Sequence, residues 1–152
     1  MFGLSEEGKY ANSTKALTPL ALYRFPVPAL RSRLAKDADL EFHVICKLLH
    51  ELRETQRHAF LLARRKALSK VAMFLQLLEN IQAARGERRA EIYLPMNRSD
   101  IGEYLGMSLE AVSRAFRVLT TRGIIKNRDR RHLKIADRST FDEIAADMSI
   151  KP

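Results

Sequence analysis

The spacing of hydrophobic residues changes along the chain, and each change predicts an element. Between Ala16 and Phe25 it alternates, with Leu20 and Leu22 on one face and Ala21, Tyr23 and Phe25 on the other, as in a strand. The turn-formers Gly3, Gly8, Asn12, Ser13 and Thr14 precede it. One strand or hairpin cannot make a stable sheet, so these apolar faces are expected to be exposed, disordered or covered by another chain. From about Asp39 to Leu62 the period becomes helical, without proline or glycine. Phe42, Ile45, Leu49, Leu52, Gln56, Ala59 and Ala63 alternate three- and four-residue steps, the seam of a coiled coil with Gln56 as its polar member. Val44, Leu48 and Leu62 widen the apolar arc, so the helix can serve a partner helix and its own domain together.

Arg64, Arg65 and Lys66 mark a hinge before a second helix, about Ala67 to Gln82. Val71, Phe74, Leu75 and Leu78 form one face, while Ala72, Met73 and Leu77 leave little polar surface, which predicts burial. Gly86 marks the following loop. Glu91 to Met96 alternates again, Ile92, Leu94 and Met96 against Glu91, Tyr93 and Pro95, reading as an edge strand that tolerates the proline.

The stretch Asn97 to Arg122 organises the rest. Asn97 with Asp100 resembles a capping box opening a short helix whose inward residues are Ile101 and Leu105. Gly106 closes that helix, and Ser108 can cap the next. Val112, Ala115, Phe116 and Leu119 would face inward, and Gly102 would allow the two helices a close approach. Leu109, Glu110, Ser113, Arg114 and Arg117 are left facing out. Gly123 ends the second helix, Ile124 to Lys126 starts a strand, Asn127 to Arg130 turns, and Leu133 and Ile135 alternate on the return. Ser139 with Asp142 resembles a cap for a last helix through about Ala146, with fraying from Met148.

Glu110-Ala-Val-Ser113-Arg114 inside this helix-turn-helix resembles the E-x-x-S-R recognition signature of the Crp-Fnr superfamily of bacterial transcription regulators, in its FixK/Fnr-type branch. A preceding strand, a following basic hairpin and a long upstream helix occur in that family's order. The resemblance implies a mainly α fold with a small β component: a remnant of a sensory β-roll and a short helix at about Val27 to Ala35 in residues 1–38, a dimerisation helix in 39–63, and a winged helix-turn-helix in 64–152. Most of the family's β-roll, with its cyclic-nucleotide pocket, is expected to be missing.

The charge pattern sharpens this picture. The 152-residue chain has a net charge of +9, and between Arg114 and Arg138 nine Lys/Arg face two Asp, a net of +7 beside the proposed recognition helix. A polyanionic partner is implied, and the resemblance makes that partner double-stranded DNA. Arg114 can donate twice to guanine, Glu110 can accept from a cytosine amino group, and Ser113 can approach a thymine or adenine edge. At i, i+3 and i+4 they share one helix face, where the bland reading is an ordinary Glu110–Arg114 surface pair. Phosphate contacts are expected from Asn97, Arg98, Ser108 and Arg117, with Arg128, Arg130 and Arg131 on the wing. The resemblance adds a TTGAT-like half-site in inverted pairs, a homodimer formed along Phe42, Ile45, Leu49, Leu52, Gln56 and Ala59, and RNA polymerase as the partner of an activator. Leu109 stands where some catabolite-activator-like members carry arginine, which disfavours their TGTGA-type site.

Other chemistry finds little support. His43, Cys46 and His50 project from one flank of the long helix, but their spacing is no recognised zinc pattern. A single cysteine excludes an intramolecular disulfide and cannot alone hold an iron-sulfur cluster. His58 and His132 have no evident partners. No metal or other cofactor is expected, and no catalytic motif suggests an enzyme. Without a signal peptide or an apolar run approaching ~18 residues, the reading is cytoplasmic, with no membrane partner. The rival reading is a truncated interaction subunit that pairs with a full-length relative and modulates its DNA binding.

Overall fold

The computed structural model describes residues 16–63, 66–86 and 90–146. Gly3 to Thr14, Arg64, Arg65 and the end from Met148 lie outside the described residues. The chain divides into two compact units, 1–56 and 57–152.

In the first unit, residues 16–26 form no strand, contrary to the alternation. Without a ladder partner the backbone groups of a lone strand remain better served by water, and Leu20, Leu22, Tyr23 and Phe25 are exposed. Helix α1 (Val27–Leu34) follows, with a proline in its first turn, where a missing N–H is harmless. Asp37 then opens α2 (Ala38–Ala63): its Oδ1 accepts the Leu40 N–H at 2.9 Å and its Oδ2 accepts from Arg33 Nη2 at 3.2 Å. No described residue from 16 to 56 is buried.

The second unit takes in the last turns of α2, where Leu61 is buried. Its further elements are α3 (Ala67–Ala84), β1 (Ile92–Tyr93), α4 (Arg98–Leu105), α5 (Leu109–Thr121), β2 (Ile125–Asn127), β3 (His132–Ile135) and α6 (Arg138–Ala146). Val71, Phe74, Leu75 and Leu78 are buried as their spacing predicts, and α3 packs against α5 and α6. The strands form an antiparallel sheet in the order β1-β3-β2, with Ile92 opposite Leu133 and Ile125 opposite Ile135. β1 is shorter than the alternating stretch, although Ile92 and Leu94 both face the core and the Leu94 N–H still donates to the Arg131 carbonyl at 2.7 Å. Pro95, with no N–H, ends the pairing. The core joins Leu61, Leu75, Ile101, Leu105, Val112, Leu119, Leu133 and Phe141. The cap of α6 is Asp137, not Ser139: its Oδ1 accepts the Thr140 N–H at 3.1 Å. Asp142 instead accepts from Arg138 Nε at 3.1 Å. Among the described residues no helix is long and apolar enough to cross a membrane.

Candidate nucleic-acid interface

Each joint of the helix-turn-helix is set by local chemistry. Asn97 Oδ1 accepts the Asp100 N–H, and Asp100 Oδ2 accepts the Asn97 N–H, both at 3.0 Å, so the capping box closes with an aspartate at its far end. Gly106 terminates α4 at φ +60°, in the left-handed region glycine favours. Ser108 Oγ accepts the Ala111 N–H at 3.2 Å and starts α5. Gly102 faces the connecting turn more closely than the second helix: a Cβ placed on it would lie 2.6 Å from the Met107 carbonyl oxygen. That carbonyl belongs to the turn whose Met107 N–H donates to Gly102 O at 2.9 Å.

With Val112, Ala115, Phe116 and Leu119 buried, α5 turns Glu110 and Arg114 to solvent, with Ser113 half-buried between them. The Glu110 carboxyl is held below its ordinary value, first by its own backbone N–H, then by the Ser108 hydroxyl and last by the Arg114 charge. The cap residue and helix start therefore fix Glu110 as a carboxylate, a hydrogen-bond acceptor on the outward face. Leu109 and Arg117 are exposed on the same helix.

The residues expected on phosphates divide into two groups. Asn97 and Ser108 use their side-chain oxygens as caps. Arg98 lays its guanidinium over the Phe116 ring, 3.1 Å from the centroid, and burial lowers its pKa to about 10, so it remains a cation at neutral pH while bracing α5. On the wing, Arg128 Nη1 lies 2.6 Å from Glu91 Oε2, and Arg131 Nη1 donates to the Tyr93 hydroxyl at 3.2 Å. Arg117 and Arg130 are exposed, with no ion-pair or hydrogen-bond partner among the described residues. The wing is tied to the end of α5 by Asn127 Nδ2 donating to Thr120 Oγ1 at 3.1 Å.

On α2, Phe42, Ile45, Leu49, Leu52, Gln56 and Ala59 are all exposed in the single chain. His43 Nδ1 is engaged with the Asp39 carbonyl at 2.7 Å. No group of three or more His, Cys, Asp or Glu able to hold a metal ion occurs among the described residues.

A family model of the Crp-like helix-turn-helix domain matches residues 69–144, half of the chain. The chain belongs to the Crp-Fnr family. It is 30% identical over 141 residues to the nitrogen fixation regulation protein FixK of Azorhizobium caulinodans, taking in 92% of this chain and 57% of that relative. With FixK of Bradyrhizobium diazoefficiens it shares 32% identity, over 81% of this chain and 52% of the relative. With the transcriptional activator protein FnrA of Stutzerimonas stutzeri it shares 29%, over 77% and 48%. The chain thus spans about half the length of these relatives. Among solved structures, FixK2 from Bradyrhizobium japonicum superposes with a TM-score of 0.71 at 32% identity, covering 78% of this chain and 58% of that one. The family is one of transcription regulators, not enzymes.

Several contacts that shape this Crp-like domain were not read from the sequence. Lys70 is buried on α3 and its Nζ donates to the Leu105 carbonyl at 3.1 Å, a cation placed on the C-terminus of α4. Gln82 pairs with both backbone groups of Tyr93, donating to its carbonyl at 2.7 Å and accepting its N–H at 3.0 Å. His132 does have a partner: Asp129, whose Oδ1 also accepts the N–H groups of Arg131 and His132 at 2.7 and 2.8 Å. These bonds, that to Arg131 foremost, hold the Asp129 carboxyl at about 2. His58 packs at a tilt against Tyr104, 4.3 Å between ring centroids, and the Tyr104 ring lies 5.6 Å from that of Phe74. Arg138 Nη1 reaches Glu79 at 2.8 Å and joins α6 to α3.

Proposed function

We propose that this chain is the dimerising and DNA-reading part of a sequence-specific transcription regulator that binds a palindromic TTGAT-like site as a homodimer. The observation that carries the reading is the outward face of α5, where Glu110, Ser113 and Arg114 stand at i, i+3 and i+4 on a helix capped by Ser108 and braced by Arg98. In a major groove, Arg114 donates to guanine O6 and N7, Glu110 accepts from a cytosine amino group, and Ser113 meets a thymine or adenine edge. Arg117 and the wing supply backbone contacts, which add affinity and salt dependence without reading sequence.

The exposed seam of α2, Phe42, Ile45, Leu49 and Leu52 with Gln56 and Ala59, is covered in this reading by the same seam of a second copy. Two-fold symmetry then presents two recognition helices to two half-sites in inverted order. In TTGAT-N4-ATCAA the half-site centres lie about 9 base pairs apart, close to one helical turn. Following the family, the regulator works in the cytoplasm as an activator that recruits RNA polymerase.

The test is binding to that duplex against a scrambled one at fixed, near-physiological salt, with light scattering to count subunits. A dimer that prefers the palindrome by a factor of about 10³ or more supports the reading. Equal weak binding to both duplexes, or a monomer, rejects it in favour of a subunit that pairs with a longer relative.

A further inference from the structure

The wing carries Arg128, Arg130 and Arg131 in four residues, and counted by sequence it offers DNA three cations. Its geometry offers fewer. Arg128 is paired with Glu91 across the sheet, at 2.6 Å, and its Nε lies 3.5 Å from the Asp129 carboxylate. Asp129 itself sits at the tip of the wing, fixed as an acceptor by Arg131 N–H, His132 N–H and the His132 ring. Three arginines set against Glu91 and Asp129 leave a net charge of +1. Arg131 is drawn back onto the Tyr93 hydroxyl, while Arg130 extends to solvent at the tip with no partner among the described residues.

We infer that Glu91 is a charge mask: by pairing with Arg128 it withholds that cation from the DNA backbone, so that the wing grips phosphate through Arg130 and leaves discrimination to α5. The inference rests on the reading that the wing faces DNA. Sequence-independent affinity grows with each phosphate neutralised, because each releases condensed counterions. A wing with all three cations free would strengthen binding to every duplex alike and steepen its salt dependence, while the ratio set by Glu110, Ser113 and Arg114 stays the same. The mask therefore acts on overall affinity and its salt dependence, not on the choice of bases.

The experiment measures the dependence of log K on log salt at fixed pH, for the full chain, on the palindrome and on the scrambled duplex. Glu91→Gln is expected to steepen the slope by about 0.9 for each engaged wing on both duplexes and to leave the preference for the palindrome unchanged. Arg130→Gln is expected to make it shallower by about the same amount, and Arg130→Lys to restore it. The double variant Glu91→Gln with Arg128→Gln keeps the net charge of the pair and is expected to match the wild-type slope. Between about 50 and 200 mM salt, each unit of 0.9 corresponds to a roughly three- to four-fold change in the loss of affinity. Thermal melts of each variant check folding. A Glu91→Gln slope equal to wild type overturns the mask, and a shallower slope in the double variant shows instead that Arg128 touches phosphate. Slopes on the scrambled duplex read the wing even where the palindrome is not preferred, so failure of the base-reading proposal is seen separately. Absence of binding to either duplex overturns both.

Discussion

Replacing Gly102 by alanine sets two effects of opposite sign against each other. Alanine in a helix interior is worth about 1 kcal/mol over glycine, and Gly102 lies within α4 without a positive φ, so propensity alone predicts stabilisation. Packing says otherwise. The new Cβ would meet the Met107 carbonyl oxygen at 2.6 Å, well inside ordinary contact. The obstacle is backbone in a turn hydrogen-bonded back to Gly102 itself, so it cannot rotate aside like a side chain. Overpacking costs about 1–3 kcal/mol, and a backbone obstacle belongs at the upper end. The expected net is a loss of about 2 kcal/mol, or roughly 8–16 °C in Tm for a unit of this size. Calorimetry measures the shift, and duplex binding well below the melt asks whether the angle between α4 and α5 has changed. A variant as stable as wild type, or more so, would refute the packing argument and leave helix propensity as the deciding effect.

Three further outcomes follow from contacts described above. Arg114→Ala should lose about 1–3 kcal/mol of discrimination at a single guanine, measured by competition with singly substituted duplexes; an equal loss on every sequence would make Arg114 a phosphate contact. Lys70→Met keeps the apolar stem but deprives the Leu105 carbonyl of its cationic donor, with an expected loss of about 1–3 kcal/mol in urea unfolding, and an unmoved midpoint would show that water replaces the ammonium. The Asp129 carboxyl is depressed to about 2, below the ~3.9 of an unfolded chain, so its contribution to the wing is complete above pH ~4 and disappears as pH falls through 2. Backbone amide shifts of Arg131 and His132 should follow that low titration, should lose it in Asp129→Asn, and should not move near pH 4 in the wild type.

What was legible in the sequence is largely what acts over three or four residues. Asn97 with Asp100, Gly106 and Ser108 could be assigned because caps and left-handed glycines work on their own neighbours, and the helical periods of α3 and α5 gave correct inward faces. Local reading erred where two local choices competed: Asp137 and Ser139 are both cap-type residues near the start of α6, and the carboxylate took the cap two residues earlier. It erred also over Ala16–Phe25, where alternation describes a strand only if another strand is there to pair with it. The contacts of Lys70 with Leu105, 35 residues away, and of Arg138 with Glu79, 59 away, follow from packing that no spacing rule reveals. For the same reason the seven expected phosphate contacts could not be sorted in advance. Whether an arginine is free or held depends on Phe116, Glu91 or Tyr93 arriving beside it from another element.

Tyr93 is the outer residue of a sheet that stops at three strands. In an antiparallel ladder alternate residues turn their backbone groups to opposite sides, and those of Tyr93 turn away from β3 toward α3. There the Gln82 carboxamide supplies one donor and one acceptor, just what a neighbouring strand would have offered. A side chain thus occupies the place of a fourth strand, so an extended segment from another protein cannot add itself at this border without first displacing Gln82. A border closed from within keeps copies of this chain from running on into unlimited strand-by-strand stacking.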